Sequence, residues 1–312
     1  MDLMCYEPER GCECRAYEDP HLVNDERVFQ NLLKAEERNV PSPTSYFNCV
    51  QKEVTPENRK VVADWLLEVC EEQKCQDEVY PLTMNYVDRF LSIYSIRKCQ
   101  LQLLGTACLL LASKLREPRP LAAELLVFYT DNSITIGDLW RWELMVLAKL
   151  KWDMSAVTPH DFIPHLMLRL PMVQDKTLFD SAMVKRHART FVALCIGEYK
   201  FSSYPPSMIA SASIAAALHG LDWCAKTGCT LSQLLDTLHS ITSIEPDYLR
   251  GCLDQIEEMV TETISNRGNG ASQGMSGSNS MQSQSSDPNS AAGKVAEHEK
   301  AGTPTDVRDI HF

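Results

Sequence analysis

The sequence predicts an all-α protein built from two consecutive five-helix units. Apolar residues recur at helical spacing in one segment after another, and proline and glycine separate these segments. No alternating Val/Ile/Thr run with hairpin chemistry interrupts them. A Thr-Pro pair begins each of two similar helix series, at Thr55 and at Thr158, and this repetition indicates a duplicated unit.

The helices are expected in a simple order along the chain. An N-terminal helix covers about 25–37, with Asn24 or Asp25 as its cap. The helices of the first unit are expected at about 56–70, 80–93, 98–115, 121–129 and 136–149. Those of the second are expected at about 159–169, 177–199, 205–219, 229–241 and 246–264. The third helix of each unit is apolar or small on all sides, so its neighbours must surround it.

Composition divides the chain into an N-terminal segment (1–23), a first unit with its preceding helix (24–153), a second unit (154–265) and a tail (266–312). Between residues 268 and 290 the only apolar residues are Ala271, Met275 and Met281. Such a stretch buries too little apolar surface to offset its ordering entropy, so the tail is predicted to be disordered.

Charge and composition exclude several classes of function. The chain of 312 residues has 42 acidic and 30 basic residues, a formal net charge of -12. Nucleic-acid binding through clustered Lys and Arg is therefore not expected to be its main role. No run reaches the roughly 18 apolar residues of a membrane span, and no signal peptide is evident. The 12 cysteines are dispersed, which favours a reducing cytosol or nucleus.

Catalytic signatures are also missing from the sequence. It contains no P-loop, zinc-protease, hydrolase or kinase motif, so no catalytic residue and no cofactor is expected. Cys12 and Cys14 with His21 form at most half a metal site, and no metal is expected. We interpret His160 and His165 as helix-start or surface histidines. An acidic, duplicated helical chain of this kind is expected to act by binding other proteins.

Several motifs resemble those of the cyclins, and specifically of the D-type cyclins. The resemblance covers about 1–265 and returns at the extreme C-terminus. It is carried by runs at 59–69 (RKVVADWLLEV), 88–91 (DRFL), 101–114, 129–133 (YTDNS), 149–152 (KLKW) and 158–162 (TPHDF). The resemblance implies tandem cyclin boxes and a non-catalytic, activating subunit of cyclin-dependent kinases four and six. Such a subunit promotes phosphorylation of retinoblastoma-type pocket proteins and progression from G1 to S.

The kinase contact of cyclins centres on a lysine and a glutamate of the first box, which match Lys114 and Glu143. The resemblance therefore implies that these two residues bind the kinase. A simpler interpretation is that Lys114 complements the dipole of a helix C-terminus and that Glu143 is a solvated helix charge.

A second implied surface docks R-x-L peptides of substrates and of Cip/Kip-type inhibitors. Spacings of three and four residues favour one helix face for part of this patch. Its residues are Val61, Val62, Trp65, Glu68 and Gln102. Core packing is the alternative, above all for Val62. Asn58 occupies a position where many cyclins carry Met.

Both termini carry short motifs of the same family. Leu3, Cys5 and Glu7 form an L-x-C-x-E motif, which implies binding to pocket proteins. Thr303 precedes Pro304, and the resemblance implies that its phosphorylation promotes export and recognition by a ubiquitin ligase; the alternative is an inert tail threonine. Location in the nucleus and cytoplasm, without direct contact to nucleic acid or membrane, is implied as well.

Two other classes of protein stay open at this point. One is a cyclin-like, two-repeat transcription factor that uses similar helical units on promoter DNA. The other is a helical scaffold without a kinase partner. A basic face or a zinc ribbon would favour the transcription factor, and neither is visible in the sequence.

Overall fold

A computed structural model of the chain describes residues 18–38, 45–170 and 180–270, with side chains described as far as residue 263. Every regular element in these ranges is helical, which confirms the predicted all-α class. Most of the predicted disordered tail lies outside the described residues. The last helix extends to Gly270, a few residues beyond its predicted end.

The helices lie close to their predicted positions. The N-terminal part contains α1 (Pro20–Asn24), α2 (Glu26–Glu36) and α3 (Tyr46–Cys49). The first unit contains α4 (Pro56–Glu72), α5 (Val79–Leu91), α6 (Leu101–Arg116), α7 (Ala123–Tyr129) and α8 (Ile136–Lys149). The second contains α9 (Pro159–Arg169), α10 (Ser181–Gly197), α11 (Pro206–Gly220), α12 (Trp223–Thr227), α13 (Leu231–Thr242) and α14 (Pro246–Gly270).

Each unit is organised around its third long helix, as predicted. In the first unit α6 packs against α4, α5, α7 and α8. In the second, α11 packs against α9, α10, α13 and α14, while the short helix α12 was not predicted. The two central helices are buried on nearly every side, so each unit has its own apolar core. A helix without a polar face is stable in water only inside such a bundle.

Both predicted Thr-Pro starts are capped helix N-termini. The Asn58 N–H donates to Thr55 Oγ1 at 3.4 Å, and Pro56 occupies the first helical position. At the second start, the Thr158 N–H donates to Asp161 Oδ2 at 2.7 Å. Side-chain caps satisfy backbone groups that have no partner within the helix, which is why these residue types fix the helix boundaries.

Helix α2 packs on the second unit, although it precedes the first unit in the chain. Phe29 is fully buried in the second core, where its ring meets the edge of Phe162. The Glu36 carboxylate accepts hydrogen bonds from Ser207 N–H and Oγ, both at 2.8 Å, at the start of α11. Burial raises the pKa of Glu36. The N-terminal helix thus completes the second bundle.

A buried arginine joins the two units. Arg59 of α4 makes two hydrogen bonds of 2.7 Å to the carboxylate of Asp88 on α5. The same guanidinium donates to the carbonyls of Gly197 at 2.8 Å and Ile196 at 3.1 Å, at the C-terminal end of α10. Tyr46 donates its hydroxyl to Asp88 at 2.8 Å. One cationic side chain therefore connects three helices from both units.

The histidines of α9 differ from the surface interpretation. His160 lies in the first turn, as one alternative proposed, but both His160 and His165 are buried. Burial lowers the pKa of His160 to about 3, so this ring is neutral at physiological pH. The surface alternative is wrong because α9 packs against α1, α2, α10 and α11, and the Phe29 ring of α2 lies 5.8 Å from the His165 ring.

Two further sequence expectations concern the cysteines and the membrane. Cys70, Cys108, Cys195 and Cys252 are buried free thiols, as their apolar neighbours predicted. Over the described part of the chain, no helix combines the length and apolar character that crossing a bilayer requires.

We expect Arg59→Ala to lower the free energy of unfolding by about 3–5 kcal/mol, because it leaves the Asp88 carboxylate buried without its cation. Urea denaturation followed by circular dichroism measures this change. Arg141→Ala is the matched control, since Arg141 pairs with Asp138 on the exposed surface of α8 and such pairs contribute about 0–1 kcal/mol. Equal losses in the two variants would contradict the role assigned to Arg59.

Candidate functional site

The structure brings Lys114 and Glu143 together. Lys114 lies in the last turn of α6 and Glu143 in the middle of α8, and the Lys114 ammonium donates to the Glu143 carboxylate. The lysine side chain is 47% exposed and that of the glutamate 13%. Lys114 is therefore placed to complement the α6 dipole. Glu143, however, is largely shielded from water, so its interpretation as a solvated helix charge is wrong.

Apolar side chains surround this ion pair on the outer surface. Leu115 follows Lys114 in the chain and is half exposed. Trp140 and Leu144 are one turn apart on α8, and both are more than half exposed. Large apolar side chains clustered around a partly shielded charge pair are typical of protein interfaces rather than of ordinary surface. We call Lys114, Leu115, Trp140, Glu143 and Leu144 the pair surface.

The predicted docking residues lie on α4 and at the start of α6. Val61 and Glu68 are exposed on α4, whereas Trp65 and Val62 are half-buried against the first core. Gln102 is half-buried, and its side-chain oxygen accepts from Ser133 Oγ at 3.2 Å. The core-packing alternative therefore holds for the buried parts of the Val62 and Trp65 side chains. We call Val61, Val62, Trp65, Glu68 and Gln102 the α4 patch.

Two residues of the sequence set the shape of this patch. A side chain at Gly105 would bring its Cβ to 3.0 Å from Val62 and 3.2 Å from Leu66, so α4 and α6 approach closely only because glycine is present. Asn58 uses its side chain to accept from the Thr55 N–H at 3.4 Å, which completes the cap of α4. Position 58, where many cyclins carry Met, therefore holds a helix-capping residue here and not an apolar side chain.

The remaining predicted site residues cannot be placed. Leu3, Cys5, Glu7 and Thr303 lie outside the described residues. Within the described ranges, no three His, Cys, Asp or Glu side chains are grouped so that they could hold a metal ion.

Sequence reasoning missed the ion pairs that bridge the two units beside the pair surface. Nη2 of Arg116, two residues after Lys114, lies 3.4 Å from Oδ1 of Asp161 in the second unit. Arg189 of α10 pairs with Asp77 at 2.8 Å. These contacts join residues far apart in the chain, so no local sequence pattern predicts them. The Arg116 contact ties the C-terminal end of α6, and with it Lys114, to the second unit, whereas the Arg189 contact ties the connection between α4 and α5 to it.

Two helical units of one plan, with apolar and charged side chains exposed for contact, define a duplicated protein-binding fold. The family profile described as "Cyclin, N-terminal domain" matches residues 27–155, and "Cyclin, C-terminal domain" matches 157–289. The chain belongs to the cyclin family, and within it to the D-type cyclins.

The relatives cover the chain from end to end. G1/S-specific cyclin-D2 of Gallus gallus is 47% identical over 315 residues, with 100% of both chains covered. G1/S-specific cyclin-D3 of Homo sapiens is 47% identical over 313 residues with the same coverage. G1/S-specific cyclin-D1 of Danio rerio is also 47% identical, covering 96% of this chain and 95% of its own. Equal identity to three D-type relatives singles out none of them.

A solved structure supports the fold. The viral cyclin from herpesvirus saimiri is 25% identical, with a TM-score of 0.66, and covers 76% of this chain and 97% of its own. Cyclins are regulatory subunits of cyclin-dependent kinases. The chain is therefore a regulatory, non-catalytic subunit of the G1/S cell-cycle machinery.

We expect Gly105→Ala to reduce stability by about 1 kcal/mol net. Overpacking against Val62 and Leu66 costs about 1–3 kcal/mol, and the better helix propensity of alanine returns at most about 1. Gly251→Ala is the control, because no atom lies within 4 Å of a Cβ built there in α14. It should gain about 0.5–1 kcal/mol. A gain in both variants, measured by urea denaturation, would show that α4 and α6 tolerate separation.

Proposed function

We propose that the chain activates cyclin-dependent kinases four and six and directs them to retinoblastoma-type pocket proteins. The proposal rests above all on the contact between Lys114 and Glu143 with its exposed apolar border. Full-length similarity to three D-type cyclins and the L-x-C-x-E motif at Leu3, Cys5 and Glu7 give further support.

Activation by such a chain requires no chemistry of its own. A kinase is active when a glutamate of its C-helix meets the lysine of a neighbouring strand and its activation loop is ordered. A rigid partner that binds only this inward helix position shifts the kinase population towards it. A hundredfold shift needs about 2.7 kcal/mol of differential affinity, which a standard protein interface provides.

The pair surface has the properties that this task demands. Its helices α6 and α8 are packed on one core, and α6 is held at its end by the Arg116–Asp161 contact. Leu115, Trp140 and Leu144 provide apolar area, while Lys114 and Glu143 provide polar recognition at its centre. Hot spots of interfaces combine these features, because surrounding apolar contacts exclude water from the central polar group.

We expect Lys114→Glu to weaken binding to both kinases by at least about thirtyfold, equivalent to roughly 2 kcal/mol. Purified kinase and immobilised cyclin in a binding assay measure this loss. Lys185→Glu is the matched control, since Lys185 also pairs with a glutamate, Glu18, but on the second unit. Circular dichroism should show unchanged helicity in both variants.

A charge swap separates recognition from folding. The double variant Lys114→Glu with Glu143→Lys keeps an ion pair inside the chain, so fold stability should return. If the kinase recognises each charge individually, its affinity should stay low. Full kinase binding by Lys114→Glu alone would refute the proposed interface.

The α4 patch is proposed to dock R-x-L peptides of substrates and of Cip/Kip-type inhibitors. Val61, Trp65 and Glu68 share one face of α4, and the exposed part of the indole offers an apolar contact beside a carboxylate. Gln102 contributes an amide to the same patch from the first turn of α6. A peptide with a cation two residues from a leucine has the complementary charge and apolar anchor.

We expect Trp65→Ala to weaken an R-x-L peptide at least about tenfold, because aromatic anchors dominate such interfaces. Kinase affinity should change less than about twofold, since Trp65 lies on a different helix from the pair surface. Fluorescence polarisation with a labelled peptide provides the measurement. Tyr248→Ala, which removes an exposed aromatic ring from the second unit, serves as control. Unchanged peptide affinity in the Trp65 variant would argue against docking at this patch.

The terminal motifs complete the proposed function on sequence support alone. Leu3, Cys5 and Glu7 are proposed to hold the pocket protein, with Leu3 and Cys5 in small apolar pockets and Glu7 at a helix N-terminus or beside a cation. Phosphorylated Thr303 is proposed to promote export from the nucleus and recognition by a ubiquitin ligase. Residence in both nucleus and cytoplasm belongs to the same proposal.

A further inference from the structure

The C-terminal end of helix α4 places two thiols in contact. Lys74 follows the helix with a left-handed backbone, at φ 52°, and its N–H donates to the Glu71 carbonyl at 3.1 Å. The Cys75 N–H donates back to the Cys70 carbonyl at 2.9 Å. This pair of bonds is the Schellman arrangement, which brings together the side chains on the two sides of a helix end. Here those side chains are cysteines.

The two thiols differ in environment. Both are free, with Cys70 buried in the first core and Cys75 partly exposed. The hydrogen bond from the Cys70 thiol lowers the pKa of Cys75. Donating that bond, together with burial, raises the pKa of Cys70. Cys75 is therefore the accessible nucleophile of the pair, and Cys70 is its protonated neighbour.

We propose that Cys70 and Cys75 form an oxidation-sensitive dithiol site that hydrogen peroxide converts into an intramolecular disulfide. The Cys75 thiolate attacks one peroxide oxygen, the O–O bond breaks, and hydroxide leaves to take up a proton as water. The Cys70 sulfur then attacks the sulfenic sulfur of Cys75, releasing its oxygen as a second water. Two thiols lose two electrons and two protons, and one peroxide is reduced to two waters.

The backbone at the helix end favours this product. Disulfides require α-carbons about 4.4–6.8 Å apart, and the hydrogen bond from Cys75 to the Cys70 carbonyl turns the chain back so that these two residues adjoin. Two anchors hold the segment that follows. The Gln76 N–H donates to the Glu117 carboxylate at 2.5 Å, and Asp77 pairs with Arg189 of the second unit. Cys75 is thus held beside Cys70 from both directions along the chain.

A second pair of cysteines with the same spacing provides an internal comparison. Cys224 and Cys229 flank Gly228, which also has a left-handed backbone, at φ 71°. There, however, the Gly228 N–H donates to the Cys224 carbonyl at 3.0 Å, and the Cys229 N–H donates to Thr227 Oγ1 at 3.3 Å. The Cys229 N–H therefore does not donate to the carbonyl of the first cysteine, as the Cys75 N–H does. Spacing alone does not create the site; the helix end does.

The test treats the reduced full chain with hydrogen peroxide, blocks remaining thiols with N-ethylmaleimide and digests without reductant. Trypsin cleaves after Lys60, Lys74 and Arg89, so Cys70 and Cys75 fall in separate peptides, each containing one cysteine. We expect a linked pair of these peptides that dithiothreitol separates. It should be at least about tenfold more abundant than any product linking Cys224 to Cys229.

Single variants test the order of the two steps. In Cys70→Ser the attacking thiol remains without its resolving partner, so Cys75 should accumulate as a sulfenic acid that dimedone labels. In Cys75→Ser, Cys70 should stay reduced at the same peroxide dose, because it is buried. Cys99→Ser removes an exposed thiol elsewhere and should leave the linked pair unchanged. Absence of the linked peptides, or equal linkage at Cys224 and Cys229, would overturn the proposal.

Discussion

The relative position of the two units depends on one buried guanidinium. Arg59 uses its donors on Asp88 within the first unit and on the last carbonyls of α10 in the second. Those carbonyls have no partner inside their own helix, so the arginine satisfies groups that would otherwise be buried without hydrogen bonds. A buried ion pair adds little net stability compared with apolar packing. Its planar, directional bonds instead fix where the second unit sits on the first.

Helix α4 links this contact to the two surfaces that we propose bind partners. Its inner face contains Arg59 and the core residues, its outer face carries the α4 patch, and a third face meets the second unit through Lys60, which pairs with Glu198 at 3.1 Å. The close approach of α6 at Gly105 then ties α4 to α6, whose last turn contains Lys114. The α4 patch and the pair surface are therefore built on three helices, with α6 packed against both α4 and α8, and the two surfaces share no side chain.

The order of helices was predictable because its signals are local. Thr55 with Pro56 marks a start, and an all-apolar segment such as α6 marks a centre. The packing of α2 on the second unit was not predictable, because an amphipathic pattern shows that one face of a helix is buried but not which unit buries it. Arg59 was equally hidden, because it stands in the polar run 58–60 and its carbonyl partners lie 137 and 138 residues away. For Lys114 and Glu143 the resemblance indicated the residues, whereas their contact required the packing of α6 on α8.

The internal pairing of Lys114 with Glu143 has a consequence for the free protein. Without Lys114, the Glu143 carboxylate, which is 13% exposed, would lose hydration without gaining a partner, and this would destabilise the chain. The hydrogen bond from Lys114 replaces part of the lost hydration of Glu143 in the free chain, before any partner binds. A partner at this surface would add hydrogen bonds to the free lone pairs of Glu143 and the free ammonium protons of Lys114. It would also exclude water, and the lower dielectric would strengthen the attraction between the two charges. At the proposed kinase interface, the pair would favour a partner with matching polar groups, because any other partner would leave one of the two charges unsatisfied.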